Sequence, residues 1–157
     1  MDSWLIDLGI GIVLILASHL VTRIYYKSQA KQQQIEAKRN HIEELISAVC
    51  QDALTHYTRE QERENTQQSA ALITHKLKVI SLKIRQLACA RASAKAALST
   101  SYRRLHEAIT VHDQFMDENR IFCSATADKV TTITNAGNEF VANLDELIAN
   151  KEITSSH

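Results

Sequence analysis

Two regimes of hydrophobic patterning divide the chain. From Trp4 to Tyr26 the sequence reads WLIDLGIGIVLILASHLVTRIYY, and its strictly apolar heart runs from Leu8 to Ala17. Extending that heart to Leu5 and Val21 adds only Asp7, Ser18 and His19 as polar residues. Trp4 and Tyr25 lie 21 residues apart. At 1.5 Å per residue that is roughly 32 Å of helix, close to the roughly 30 Å hydrocarbon layer of a bilayer. Aromatic residues at both ends, with Arg23 and Lys27 beyond, suit the two interfaces. The segment is therefore expected to be a transmembrane anchor over residues 1–26. A cleaved signal peptide fits less well: Asp2 and Asp7 stand where a basic region belongs, and no Ala-x-Ala site follows.

After Lys27 the apolar residues thin into one-sided stripes. The first is Ile35, Ile42, Leu45, Val49, Ala53 and Tyr57, spaced mostly three or four apart as on one helix face. It stops at TREQERENTQQS, residues 58 to 69, where Asn65, Thr66 and Ser69 are the expected cap or turn residues. The second runs in alternating steps of four and three from Ile73 through Leu77, Ile80, Ile84, Leu87, Arg91, Ala94, Leu98, Ser101, Leu105 and Ala108 to Phe122. Such a repeat means packing along a seam; a break at Ser99-Thr100-Ser101 would give four helices after the anchor, and no break there would give three. The third is Val130, Ile133, Gly137, Phe140, Leu144 and Leu147, with Gly137 marking a close helix contact, Ser124 or Thr126 as cap and Asn150 as end. The expected fold is all-α: an N-terminal transmembrane helix continuing into an antiparallel three- or four-helix bundle or coiled coil. Residues 27–150 would form the bundle and 151–157 a frayed tail.

Composition supports long helices. The 157 residues include no proline, and the three glycines are Gly9, Gly11 and Gly137. Tight turns favour Gly, Pro, Asn and Asp, so few are expected. Gly9 and Gly11 do not form the Gly-x-x-x-Gly dimerisation pattern. Asp7 and His19 are read as reaching the two interfaces rather than as intramembrane functional groups.

Charge refines the picture. The 18 Lys plus Arg balance 18 Asp plus Glu, so no global pull toward nucleic acid exists and nucleic acid is not an expected partner. The balance hides an asymmetry. Between Glu64 and Glu107 no acid occurs, while Lys76, Lys78, Lys83, Arg85, Arg91, Lys95, Arg103 and Arg104 supply a charge near +8. From Glu107 to Glu146 eight acids face only Arg120 and Lys129, a charge near −6. An acidic helix folded beside a basic one explains this, with Lys76, Lys83 and Arg104 flanking the seam and Arg91 on it as an interhelical ion-pair residue. The sharper alternative is a basic face, Lys76, Lys83, Arg85, Arg91, Lys95, Arg103 and Arg104, for an anionic partner. Tyr102 is its lone aromatic residue, too few for base stacking.

Cations follow the anchor (Arg23, Lys27, Lys31, Lys38, Arg39) and none precede it, which places the bundle on the cytoplasmic side. Cys50, Cys89 and Cys123 are odd in number and widely spaced, in keeping with a reducing compartment. No phosphate loop, Gly-x-Ser-x-Gly or His-Glu-x-x-His occurs. Asp52, His56 and Glu60 share a helix face whose spacing faintly resembles hemerythrin-like bundles, but the rest of that ligand set is missing, as are paired Glu-x-x-His motifs. His106, His112 and Asp113 lie on another segment. No enzyme, cofactor or metal site is expected. In layout, a span leading into a long helix resembles the b subunit of rotary ATP synthases, chemoreceptor-type sensors and phage inner-membrane spanins. No motif carries any of these, and no family is assigned.

The expected function is a single-pass, membrane-anchored helical interaction or scaffold module. Its partners would be membrane lipid and a protein partner, or a second copy joined through the helical seam. The alternative is a signal-responsive effector whose bundle acts on the membrane through the anchor. The anchor residues singled out are Trp4, Asp7, Gly9, Gly11, His19, Arg23, Tyr25, Tyr26 and Lys27.

Overall fold

The computed structural model describes residues 3–58, 63–111, 115 and 124–154; the side chains of residues 3–13, 63–65, 88, 124–127 and 154 lie outside that description. The described chain forms four helices: α1 (Ser3–Thr58), α2 (Arg63–Arg85), α3 (Ala92–Thr110) and α4 (Ser124–Ala149). Two short strands, β1 (Ala88–Cys89) and β2 (Ile153–Thr154), pair antiparallel with Cys89 opposite Ile153.

Side-chain pairs fix the helix directions. Asp52 meets Lys76 and His56 meets Ser69 between α1 and α2. Arg39 meets Asp145 and Cys50 meets Gly137 between α1 and α4. Arg104 meets Glu139 and Val111 meets Lys129 between α3 and α4. In each pairing one residue number rises as the other falls, so these neighbours are antiparallel. The result is an up-down-up-down bundle in which α1 packs on α2 and α4, α4 packs on α3, and α2 touches α3 only lightly.

The three stripes are the core. Ile42, Val49, Ala53 and Tyr57 are buried from α1, with Ile46 joining them. From the second stripe come Ile73, Leu77, Ile80, Leu87, Ala94, Leu98, Ser101 and Leu105, and from the third Ile133, Phe140, Leu144 and Leu147. Burying these apolar side chains is the main force holding the helices together. The seam is thus consumed inside one chain, because α2 and α3 fold back to back onto α1 and α4.

Four expectations are corrected. The second helix does not break at Ser99–Ser101, which lie within α3; it breaks between Arg85 and Ala92. Asn65, Thr66 and Ser69 are not turn residues but lie in α2. Arg91 is not a seam residue: it stands at the N-cap of α3, its side chain 74% exposed, 3.5 Å from Glu152. The residues after Asn150 do not fray at once. Ile153 is buried, and Ala90 N–H donates to the Glu152 carbonyl at 2.6 Å.

The last two corrections have one cause. Residues 86–91 (QLACAR) hold no Gly, Pro or Asn, so the corner lacks a residue that turns the chain cheaply. Its backbone groups need partners from elsewhere. Residues 152–154 provide them, held there by the way α4 ends. Lys151 adopts a left-handed φ of 56°, its N–H donates to Ile148, and Glu152 N–H donates to Leu147. That is a Schellman end with lysine where glycine is usual.

Of the expected anchor, the backbone is helical from Ser3 without interruption into the bundle. Among the described residues no helix is long and apolar enough to cross a membrane. The expected span begins at Trp4, and the side chains of Trp4, Asp7, Gly9 and Gly11 lie outside the described residues. Ser124 and Thr126, the expected caps of α4, also have side chains outside them.

Gly137 marks a close contact, as its place on the stripe predicted. A Cβ built there would stand 2.9 Å from Cys50 Sγ. The sulfur is the terminal atom of a half-buried side chain, so an added methyl forces it to change rotamer. Gly137→Ala is expected to destabilise the detergent-solubilised chain by about 1–2 kcal/mol in urea unfolding, overpacking exceeding the helix-propensity gain of about 1 kcal/mol. In a Cys50→Ala background the same change should be neutral or stabilising; equal loss in both backgrounds would refute the contact. Lys151→Gly should stabilise by about 1 kcal/mol, since glycine carries no penalty in the left-handed region. An unchanged urea midpoint would contradict that end geometry.

Candidate functional site

The structure offers three places with something to explain: the free half of α1, the cationic side chains of α2 and α3, and a buried polar cluster at the far pole.

From Leu14 to Tyr26, α1 packs against nothing. Its large apolar side chains are exposed from 58% (Leu16) to 68% (Ile24), and Ile15, Leu20, Val21, Tyr25 and Tyr26 fall between. Elsewhere among the described residues only Leu72, Leu82 and Val111 are large, apolar and exposed. At 3.6 residues per turn, positions 14, 15, 16, 20, 21, 24, 25 and 26 surround the whole helix axis. A stripe would suit one partner helix; a full circumference suits a continuous apolar medium. The hydroxyls of this stretch are satisfied locally. Ser18 Oγ donates to the Ile15 carbonyl at 2.8 Å and Thr22 Oγ1 to the Ser18 carbonyl at 2.7 Å. His19, Arg23 and Lys27 are exposed on the same helix.

The predicted basic face does not hold together as one surface. Lys76 turns to Asp52 on α1, where both are half-buried. Arg104 reaches across to Glu139 on α4, the one ion pair that joins the basic run to the acidic helix among the described residues. Arg91 pairs loosely with Glu152 at the corner. The acidic helix spends Asp145 on Arg39 of α1 instead, and that hydrogen bond holds the Asp145 carboxyl below its ordinary pKa. Helix α2 packs mainly on α1, and among the described residues none of its cations forms an ion pair with α4. Internal complementarity therefore accounts for part of the asymmetry only.

Three of the remaining cations meet. Where α2 and α3 pack lightly, a cleft of 320 Å³ opens, lined by Arg85, Lys95 and Arg103 together with Ile84, Leu98 and Tyr102. Lys83 is half-buried on α2 and does not line it. Tyr102 Oη donates to the Leu77 carbonyl at 2.7 Å, and burial raises its pKa against opposing effects of Ser81 and Arg85. Cys89 also faces this cleft, its thiol pKa raised by burial, tempered by Lys95 and raised further by the nearby Glu152 carboxylate. The sequence placed Tyr102 and Cys89 at no site. Only the acid-free run from residue 65 to 106 signalled the cleft, and it could not show which of its cations converge.

At the opposite pole His56 is fully buried. Its Nδ1 lies 3.0 Å from Ser69 Oγ and its Nε2 3.1 Å from the Phe115 carbonyl. In the neutral ring Nε2–H donates to that carbonyl and Nδ1 accepts from the hydroxyl. Tyr57 Oη donates to the Ile109 carbonyl at 2.6 Å and Lys129 Nζ to the Val111 carbonyl at 3.3 Å. These two groups fill the carbonyls left open where α3 ends. Lys129 also lies 5.5 Å over the Tyr57 ring. The cluster is a structural clamp. Asp52 is paired with Lys76, while Glu60, His112 and Asp113 lie outside the described residues, so the imagined ligand face is not assembled among those described.

No family model, curated protein or solved structure matches this chain. Functional inference therefore rests on its own surfaces.

His56→Phe keeps the ring volume but removes both ring nitrogens. It should cost about 1–3 kcal/mol, because the buried Phe115 carbonyl loses its donor. Thermal unfolding with helicity monitored checks this; a variant as stable as the parent would refute the clamp.

Proposed function

We propose that this chain is a single-pass membrane-anchored helical scaffold, with residues 4–26 in lipid and the bundle held at the cytoplasmic face. The observation that carries the reading is the apolar circumference of α1 from Leu14 to Tyr26, left bare while the described apolar stripe residues of the bundle are buried or half-buried. So much exposed apolar surface on a lone helix requires a cover. Lipid meets that need on all sides at once, and the local hydroxyl bonds of Ser18 and Thr22 lower the cost of insertion. Arg23, Lys27, Lys31, Lys38 and Arg39 on the bundle side favour the cytoplasmic orientation. With its seam closed, the bundle presents outward-facing charged surfaces to a protein partner, and its task is positional rather than catalytic. The uninterrupted helix fixes those surfaces a short distance from the bilayer.

The experiment is alkaline carbonate extraction of membranes containing the full chain, with protease protection for orientation. The parent should stay in the pellet, and its bundle should be cut only from the cytoplasmic face. Leu16→Lys with Leu20→Lys should move a large fraction to the soluble phase, each lysine costing about 2.5–3.5 kcal/mol near the centre of a span. Release of the parent by carbonate would overturn the anchor. Digestion from the opposite face would overturn the orientation alone.

A further inference from the structure

We infer that the cleft between α2 and α3 is a binding site for a phosphate-bearing anion. The cleft's 320 Å³ lies at the lower end of the roughly 300–1,000 Å³ typical of small-ligand pockets. Its chemistry is one-sided. Arg85, Lys95 and Arg103 line it and no carboxylate does. Arg85 and Lys95 make no ion pair among the described residues, and the contact of Arg103 is a loose one, 3.8 Å from Glu107 one turn along its own exposed face.

Lys78 and Lys83 also lack an ion pair among the described residues, but they do not line the cleft. Lys76, Arg91 and Arg104 each have a carboxylate from another element of the fold. The fold distributes its acids to those positions and leaves the cleft without one. Helix α4, which carries the acidic run, packs on α3 and α1 and does not neutralise this side. Three like charges brought to one concave surface repel one another, and a bound anion converts that repulsion into attraction.

The geometry favours phosphate over a single carboxylate. A phosphate monoester carries close to two negative charges and several acceptor oxygens, matched to cations arriving from two helices. Guanidinium groups such as Arg85 and Arg103 present paired donors that fit it. A nucleic-acid strand fits poorly. The cleft's aromatic residue, Tyr102, is half-buried with its hydroxyl committed to Leu77, so no stacking platform is offered. The apolar floor, Ile84 and Leu98, accepts the carbon part of a ligand. The phosphate has two possible sources. The cleft reaches Cys89 at the α2–α3 corner, and that corner pairs with Ile153, which packs near Ile35 at the anchor end of the bundle. A lipid headgroup can therefore supply the phosphate, as can a soluble phosphate compound. The soluble-ligand arm does not depend on the anchor reading.

Cys89 serves as the reporter. Cys50 is half-buried, its thiol pKa pushed up to about 11 by burial, and Cys50→Ala with Cys123→Ser leaves Cys89 as the sole thiol. The full chain in neutral phosphatidylcholine discs is treated with N-ethylmaleimide, and the Cys89 alkylation rate is measured with and without ligand. One arm adds inorganic pyrophosphate; the other uses discs containing phosphatidic acid. Slowing of about tenfold, as at roughly 90% occupancy, is expected in at least one arm. It should vanish in the Arg85→Gln, Lys95→Gln, Arg103→Gln variant, whose helicity should match the parent. Because Lys95 also tunes the Cys89 thiol, each protein is compared with itself, ligand against no ligand. Protection by pyrophosphate identifies a soluble phosphate compound as the ligand, and protection by phosphatidic acid alone identifies a headgroup. No protection in either arm, or undiminished protection in the triple variant, overturns the site. If the chain fails to enter discs the anchor reading fails, and the pyrophosphate arm on the free chain still decides the cleft.

Discussion

One helix carries two different surfaces. Helix α1 is 56 residues long, roughly 84 Å at 1.5 Å per residue. Its second half buries Ile42, Ile46, Val49 and Ala53 along a stripe, while Leu14 to Tyr26 bares apolar side chains around its whole circumference. Water tolerates the first surface once the bundle closes on it, but not the second. No glycine or proline separates the two halves between Gly11 and the end of α1, so the backbone provides no hinge. Whatever medium covers the first half is rigidly coupled to the position of the bundle. The proposed scaffold role follows from that coupling rather than from any catalytic group.

The bundle closes through devices at its two poles. At the anchor end, the α2–α3 corner borrows hydrogen-bond partners from residues 152–154, and a left-handed Lys151 aims them there. At the far end, His56, Tyr57 and Lys129 take up carbonyls where α3 stops. Both devices obey the same accounting: helix ends and corners leave polar backbone groups that burial makes costly unless each finds a partner. Between the poles the helices are held by apolar stripes, with Gly137 letting α1 and α4 approach at Cys50. Between α2 and α3 the packing is lighter, and there Arg85, Lys95 and Arg103 line one cleft.

Much of this was legible from spacing alone. Most described positions three and four apart on each stripe are buried, although Ile35, Leu45, Ile84 and Val130 are half-buried and Ile46, off the stripe, is buried. Gly137 stood out because a glycine on an apolar stripe implies a near neighbour. The corner was not legible. From Ile84 through Leu87 and Arg91 to Ala94 the repeat keeps its phase, since α2 and α3 face the same core, so the pattern hides the reversal. The turn chemistry lies far away, in Ile153 and Thr154, where no local signal could reveal it. Arg91 was misread for the same reason: its place in the repeat put it on the seam, but it stands in the corner where the chain reverses. Within the basic run, charge was visible but direction was not. Lys76 and Arg104 found acids on neighbouring helices, while Arg85, Lys95 and Arg103 did not, and only the packing order decides which.

The central claim is that lipid covers the first half of α1 and water bathes the helix beyond it. Nitroxides placed singly at positions 14–34 of the full chain in a bilayer, with accessibility to oxygen compared with that to a water-soluble nickel complex, test it most directly. Oxygen should dominate at 15, 16, 20 and 21 irrespective of helix face, and the nickel complex should dominate from 28 onward. Equal nickel accessibility at 15, 20 and 31, or a one-sided alternation along residues 14–26 that marks a single protein partner, would contradict the account.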